Sequence, residues 1–139
     1  MPMQGPPSKA APKFKYTYGN AEQGSIMAFE VRVDPDKGKP MLDPVWISRD
    51  MHAPDPPVVA NGVVYALQTG KNATETRSGG KLPTANAVLY AFDAETGQQL
   101  YSSEKLIDSL THFSEPVVAG GRVYVCTWDG KVYAFGLKK

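Results

Sequence analysis

The sequence has too little cysteine, net charge and continuous apolar sequence for several classes of protein. Its 139 residues include one Cys, so a scaffold stabilised by intrachain disulfides is excluded. The 15 Lys and Arg residues against 14 Asp and Glu residues leave a net charge of +1, which does not favour nucleic-acid binding. No apolar run approaches the roughly 18 residues of a membrane-spanning helix. We expect no membrane span and no nucleic-acid partner.

The beginning of the chain is poor in apolar residues. Met1 to Pro12 lacks the apolar segment of a signal peptide, so we expect no export signal in this chain. Residues 1–13 place four Pro among small and polar residues, which predicts a disordered arm. Phe14, Tyr16 and Tyr18 then alternate with other residues, which indicates a short strand. We therefore assign the folded domain to residues 14–139.

The rest of the chain contains an internal repeat made of short β-type runs. Residues 57–65 and 116–124 are identical at seven of nine positions, with an offset of 59 residues. A shorter motif, apolar-x-Ala-Phe, occurs three times, at residues 26–29, 89–92 and 132–135. Self-similarity of this kind is typical of blades or arrays of β-strands rather than of helical solenoids.

Turn residues separate the runs and support β structure throughout. Asn61-Gly62, Gly120-Gly121 and Asp129-Gly130 are signals for two-residue hairpin turns. The predicted strands are 25–33, 44–48, 57–60, 63–68, 88–93, 99–103, 116–119, 122–128 and 131–136. Several are apolar on both faces, which predicts sheets that are covered on both sides. Residues 103–110 are the best helical candidate, and segments 34–43 and 69–87 interrupt the repeat as loops.

Residues 91–101 resemble the tryptophan-docking motif of pyrroloquinoline-quinone-type β-propeller repeats, Ala-x-Asp-x-x-Thr-Gly-(Lys/Glu)-x-x-Trp. Tyr101 stands at the position of the Trp, and in the first copy Trp46 is the candidate docking residue. The other residues in register with the motif are Ala91, Asp93, Thr96 and Gly97. An Asp and a Thr can bind the backbone within such a turn, and the aromatic residue would stack on the neighbouring blade's turn. These are structural residues that fasten blades together.

The resemblance covers residues 24–139 and implies an all-β fold, a partial β-propeller of antiparallel four-stranded blades with little or no helix. It implies about two blades and a half. The half blade would be residues 24–50, the full blade 51–104 and the incomplete blade 105–139. Because closed propellers typically need 4–8 blades, we expect either a C-terminal piece of a larger propeller or copies that associate to complete the blades.

The resemblance implies a fold more strongly than a function. Quinone-dependent dehydrogenases of this kind resemble one another in a vicinal Cys-Cys pair, a catalytic Asp and Glu/Asn calcium ligands, whereas this chain has only Cys126. We therefore expect no catalytic residues and no cofactor, and a non-catalytic module that serves as a scaffold or recognition surface through loops 34–43 and 69–87. The alternative is a C-terminal fragment of a dehydrogenase that uses pyrroloquinoline quinone and calcium.

The resemblance also bears on partners and compartment. It implies either a protein partner or self-association that completes the blades. The family's bacterial relatives are mostly periplasmic or secreted, and we expect the same compartment here.

Four polar residues precede the first strands of the last two units and are candidates for a ligand-binding mouth. They are His52, Asp55, His112 and Glu115. Such strands face the central channel in propeller folds, so the four side chains would line one opening. The alternative, which we favour, is that they cap turns on a solvated edge. Two His in separate units are too few for a zinc site, and we expect no metal.

Overall fold

The computed structural model of the protein describes residues 1–9, 11–70 and 84–136. Its regular secondary structure is entirely β, which confirms the predicted all-β class. The strands are β1 (Pro2–Gln4), β2 (Tyr16–Thr17), β3 (Gly24–Val33), β4 (Pro40–Ile47), β5 (Val58–Ala60), β6 (Val63–Gln68), β7 (Val88–Asp93), β8 (Gln99–Ser102), β9 (Val117–Ala119), β10 (Arg122–Cys126) and β11 (Val132–Gly136). Within the described ranges, no helix has the length and apolar character to cross a membrane.

The second sheet is a complete antiparallel unit in the order β5-β6-β7-β8. Its first turn, Asn61-Gly62, has φ of 51° and 75°, the two positive values that a type I′ hairpin requires. The central strands β6 and β7 have the predicted bounds. They pair over their full length, with Tyr65 opposite Ala91.

The third sheet has three described strands in the order β11-β10-β9. Strand β10 ends at Cys126, two residues before its predicted end. The cause is the next turn, in which the Gly130 N–H donates to the Thr127 carbonyl at 3.0 Å and the Thr127 hydroxyl donates to Asp129 at 2.6 Å. No fourth strand of this sheet lies among the residues that the structure describes.

The first sheet corrects the predicted disordered arm. Its order is β1-β3-β4-β2, and β1 places residues 2–4 antiparallel to β3 at the sheet edge. The terminal ammonium of Met1 donates to the Met27 carbonyl at 2.7 Å, and the Met3 side chain packs on a buried cluster that contains Ala21 and Ile47. An arm without structure was therefore the wrong prediction for residues 2–4, because the edge of β3 supplies pairing and apolar contact that local composition does not show.

Two other expectations need correction. Segment 34–43 is not a loop throughout, since β4 begins at Pro40 and the turn is confined to residues between Val33 and Pro40. Segment 103–110 has no helix: its one backbone turn bond runs from the Leu106 N–H to the Ser103 carbonyl at 2.9 Å. Ile107 is buried against the second and third sheets, so packing holds this segment in an irregular path.

The sheets pack face to face with the second sheet in the middle. Ile26 and Trp46 of the first sheet share a buried cluster with Val64, Ala66, Tyr90 and Phe92 of the second. On the other face, Leu67 and Leu89 share a cluster with Val123 and Val125 of the third. The second sheet therefore fits the prediction of two covered faces, whereas the third does not, because it leaves Val117 and Val132 exposed on its outer face.

Candidate functional site

The turn between β7 and β8 is built by the side chain of Asp93. Its Oδ1 accepts hydrogen bonds from the Thr96 N–H at 2.8 Å, the Thr96 hydroxyl at 2.8 Å and the Glu95 N–H at 3.1 Å. These donors, the Thr96 N–H first, hold the pKa of Asp93 below its ordinary value, so this carboxylate is ionised at neutral pH. The turn closes at Gly97, whose φ of 74° favours glycine.

Trp46 of the first sheet packs on this turn. Its indole Nε1 donates to the Ala94 carbonyl at 2.9 Å, and the ring lies against Gly97 so closely that an added Cβ would be 2.5 Å from Cδ2. The ring is buried, with its centroid 6.2 Å from that of Phe92. The turn and the tryptophan together fasten the first sheet to the second.

Tyr101 occupies the corresponding place between the second and third sheets. Its ring centroid lies 6.2 Å from that of Phe135, the same separation as between Trp46 and Phe92. A cavity of about 360 Å³ remains beside it, lined in part by Leu100 and Ala91. The second interface thus repeats the aromatic contact of the first and is packed less completely.

The four candidates for a ligand-binding mouth have different surroundings. His52 is buried, and its backbone N–H donates to the Gln68 side chain at 3.1 Å. Asp55 accepts from the Ser114 N–H at 3.2 Å, which links its loop to the loop that carries His112 and Glu115. Glu115 is exposed. In the described part of the chain, no three His, Cys, Asp or Glu residues are grouped so that they could hold a metal ion.

The loop before Pro116 also carries aromatic rings, which lie close to Trp128. The His112 ring lies 3.7 Å from the Phe113 ring and 6.1 Å from the Trp128 ring, measured between centroids. Phe113 and Trp128 are largely exposed. His112 is therefore part of an aromatic surface rather than of a polar mouth.

A charged network fixes the segment before β9 to the β10–β11 hairpin. The Lys131 ammonium lies 2.9 Å from carboxylate oxygens of both Asp108 and Asp129, and the Tyr133 hydroxyl donates to Asp108. The Thr127 hydroxyl and then Lys131 lower the pKa of Asp129 to about 2. All of these charges are satisfied within the network, which gives it a structural role.

Strands β3 and β4 extend beyond the other two strands of the first sheet as a two-stranded ribbon, residues 30–43. The sequence predicted a strand for its first part, up to residue 33, and a loop for 34–43. In the pairing register Val31 lies opposite Leu42 and Val33 opposite Pro40, so these four share one face. All four are exposed. The alternation Phe29-Glu30-Val31-Arg32-Val33 was the available signal, since it has the period of two expected for a strand.

The other face of the ribbon is charged. Arg32 lies 2.6 Å from Glu30 and 3.1 Å from Asp43, so the three ionic side chains lie together. At the base of the apolar face, Phe29 packs edge-on against Phe14 at 5.5 Å between ring centroids. The ribbon is thus amphipathic, with its apolar face continuing outward from a packed aromatic pair.

The second loop named from the sequence, 69–87, lies largely outside the described residues, which omit 71–83. Comparisons of the chain with protein-family models, with curated proteins and with solved structures give no match.

Proposed function

We propose that the protein is a non-catalytic repeat module of the quinoprotein-like β-propeller class. In this proposal its stacked sheets serve as a scaffold, and the apolar face of the ribbon binds a protein partner. The observation that carries the second part is the exposure of Val31, Val33 and Leu42 on one face of a two-stranded ribbon.

Support for the scaffold comes from the repeated contact between sheets. Trp46 with Phe92 and Tyr101 with Phe135 are equivalent aromatic pairs at equivalent interfaces. The Asp93 turn is engaged by hydrogen bonds within the turn and by the indole that docks on it. The polar groups of this site therefore stabilise a turn and an interface between sheets, which is a structural role.

The exposure of the ribbon and the difference between its two faces support a recognition function. A two-stranded ribbon without a covering layer is marginally stable in water, and exposed apolar patches on monomers commonly mark interaction sites. The salt bridges of Arg32 with Glu30 and Asp43 cover the opposite face with charge, so the two faces differ in chemistry. The expected partner is a protein that offers an apolar groove to Val31, Val33 and Leu42.

Site-specific photo-crosslinking tests the recognition surface. The photoreactive residue is placed at Val33 on the apolar face or, as a matched control, at Met41 on the charged face of the same ribbon. We expect position 33 to give one crosslinked adduct with a partner. An excess of the chain without the photoreactive residue should abolish this adduct by competition, whereas an excess of the Val31→Lys/Leu42→Lys chain should not. Equal adducts from both positions, or equal competition by both chains, would contradict the assignment.

Titration with pyrroloquinoline quinone and calcium tests the absence of catalysis. The proposal expects no saturable quinone binding and no dehydrogenase activity from the purified chain. Saturable binding accompanied by reduction of an electron acceptor would instead support the dehydrogenase fragment.

A further inference from the structure

The bulges in β4 and β8 place two side chains at the same point of each sheet. The pairing of β3 with β4 skips Val45, so Val45 and Trp46 lie together in one bulge. The pairing of β7 with β8 skips Leu100 in the same way, beside Tyr101. A bulge changes the direction of the side chains at its position. The first pair contacts the buried cluster shared with the second sheet, whereas the second pair lines the cavity between the second and third sheets.

These equivalent pairs differ in how completely they are covered. Trp46 is 1% exposed, and its indole ring lies in the cluster that joins the first and second sheets. Tyr101 is 39% exposed and Leu100 is 56% exposed, and the cavity of about 360 Å³ lies beside them. A phenol ring is smaller than an indole ring, so the tyrosine fills less of its interface than the tryptophan does. The second interface therefore has room for an aromatic ring of the kind that the first interface takes from its own chain.

The walls of the cavity are apolar and uncharged. Leu89 and Val123 are buried in the cluster that joins the second and third sheets, whereas Leu100 and Tyr101 are open to solvent at the mouth. Among the described residues that line the cavity, none is charged, and the side-chain polar groups are the hydroxyls of Tyr65 and Tyr101. A charged ligand would lose its hydration there without gaining an ion pair. The cavity therefore suits an uncharged ring that carries few polar groups.

The cavity can cover a small molecule more completely than the exposed apolar faces of the ribbon and of the third sheet. Each of those faces offers contacts to one side of a ring. In the cavity, Val63 and Ala91 belong to the second sheet, and Val123 and Phe135 belong to the third, so both sheets would contact the ring. Dispersion attraction grows with the number of such atomic contacts. The volume is also sufficient, because even an apolar cavity of about 150 Å³ can bind benzene.

We propose that this cavity binds a free, uncharged aromatic molecule of about the size of indole. The ring would lie between the second and third sheets beside Tyr101, as the Trp46 indole lies between the first and second. Its polar edge would face the mouth, where water and the Tyr101 hydroxyl can form hydrogen bonds with it. This inference goes beyond the recognition function assigned to the ribbon and does not depend on it, because the ribbon belongs to the first sheet.

An NMR titration of the full chain with indole tests the proposal. The methyl resonances of Leu89, Leu100 and Val123 should shift saturably and should show nuclear Overhauser effects to the indole protons. The methyl groups of Val31 on the ribbon and Val132 on the third sheet should not respond. The absence of saturable shifts up to the solubility limit of indole would overturn the proposal. Equal responses from the ribbon or from Val132 would also overturn it, because they would show general adsorption to apolar surfaces.

Matched variants locate the site. Leu100→Trp and Tyr101→Trp each place a larger ring at the mouth, so each should raise the dissociation constant of indole by at least about tenfold. Tyr16→Trp adds the same ring at an exposed position of the first sheet and should leave the dissociation constant unchanged. A cooperative thermal transition shows that each variant is folded. If all three substitutions weaken binding equally, or if neither substitution at the mouth weakens it, the cavity is not the site.

Two further measurements separate this proposal from its alternatives. N-acetyltryptophanamide carries the indole ring on peptide groups, and we expect it to bind no more tightly than indole does. Tighter binding would assign the cavity to a side chain of a partner protein and would overturn the proposal. The Val31→Lys/Leu42→Lys chain, which tests the ribbon, should bind indole as the native chain does. The two proposed functions can therefore fail independently.

Discussion

The contact between Gly97 and Trp46 can be tested by adding one carbon atom. In Gly97→Ala the new Cβ would lie 2.5 Å from Cδ2 and 2.7 Å from Cγ of the buried indole, both far inside van der Waals contact. The alanine must also adopt a φ near 74°, which costs about 1–2 kcal/mol for an L residue. Displacement of the ring adds about 1–3 kcal/mol, the usual range for an overpacked core.

Gly62→Ala separates these two effects. Gly62 has a φ of 75°, almost the value at Gly97, but an added Cβ there meets no atom within 4 Å. We therefore expect Gly62→Ala to lower the free energy of unfolding only by the cost of a positive φ at an alanine. Gly97→Ala should lower it by about 1–3 kcal/mol more, because only that variant disturbs the docked indole.

Urea denaturation followed by circular dichroism measures the free energy of unfolding of each variant. The same two substitutions made in a Trp46→Leu background complete a double-mutant cycle. When the indole is absent, the two Gly→Ala substitutions should cost the same within about 0.5 kcal/mol. Equal costs in the native background would refute the docking argument. So would an excess cost of Gly97→Ala that persists undiminished without the indole.

Four further outcomes follow, two from the contacts between sheets and two from the Asp129–Lys131 network. Tyr101→Trp should raise the free energy of unfolding by about 0.5–2 kcal/mol, because the larger ring can fill part of the 360 Å³ cavity beside it; a loss of stability in urea would contradict this. Trp46→Phe should lower it by about 1–3 kcal/mol, since a carbonyl loses its indole donor, and an unchanged urea midpoint would oppose that reasoning. An NMR titration should place the pKa of Asp129 at about 2, below its ordinary 3.8. Because the folded value is the lower one, this carboxylate stabilises the fold above 3.8, and its contribution is lost as the pH falls through about 2. Lys131→Met should raise that pKa only part of the way, since the Thr127 hydrogen bond remains; full return to 3.8 would contradict the order of causes.

The parts of the fold that depend on local chemistry were predictable. Strands β6 and β7 have the bounds expected from the apolar runs, and the Asn61-Gly62 turn has the two positive φ values that its residues favour. The turn that Trp46 contacts is also local, because Asp93 and Thr96 build it from neighbouring residues.

The parts that depend on distant contacts were not predictable. Strand β1 forms because the edge of β3 accepts it, although Pro2 and its neighbours have a composition typical of disorder. The buried state of His52 depends on which loops and sheets lie beside it. Likewise, nothing in Val132 itself distinguishes it from Leu89; the order of the sheets leaves one exposed and the other covered.

Methyl–methyl nuclear Overhauser effects test the stacking order of the sheets most directly. The structure predicts cross-peaks between Ile26 and Val64, which join the first and second sheets, and between Leu89 and Val125, which join the second and third. It predicts none between Ile26 and Val125, because the second sheet lies between them. Cross-peaks between Ile26 and Val125, or the absence of either predicted pair, would contradict the arrangement.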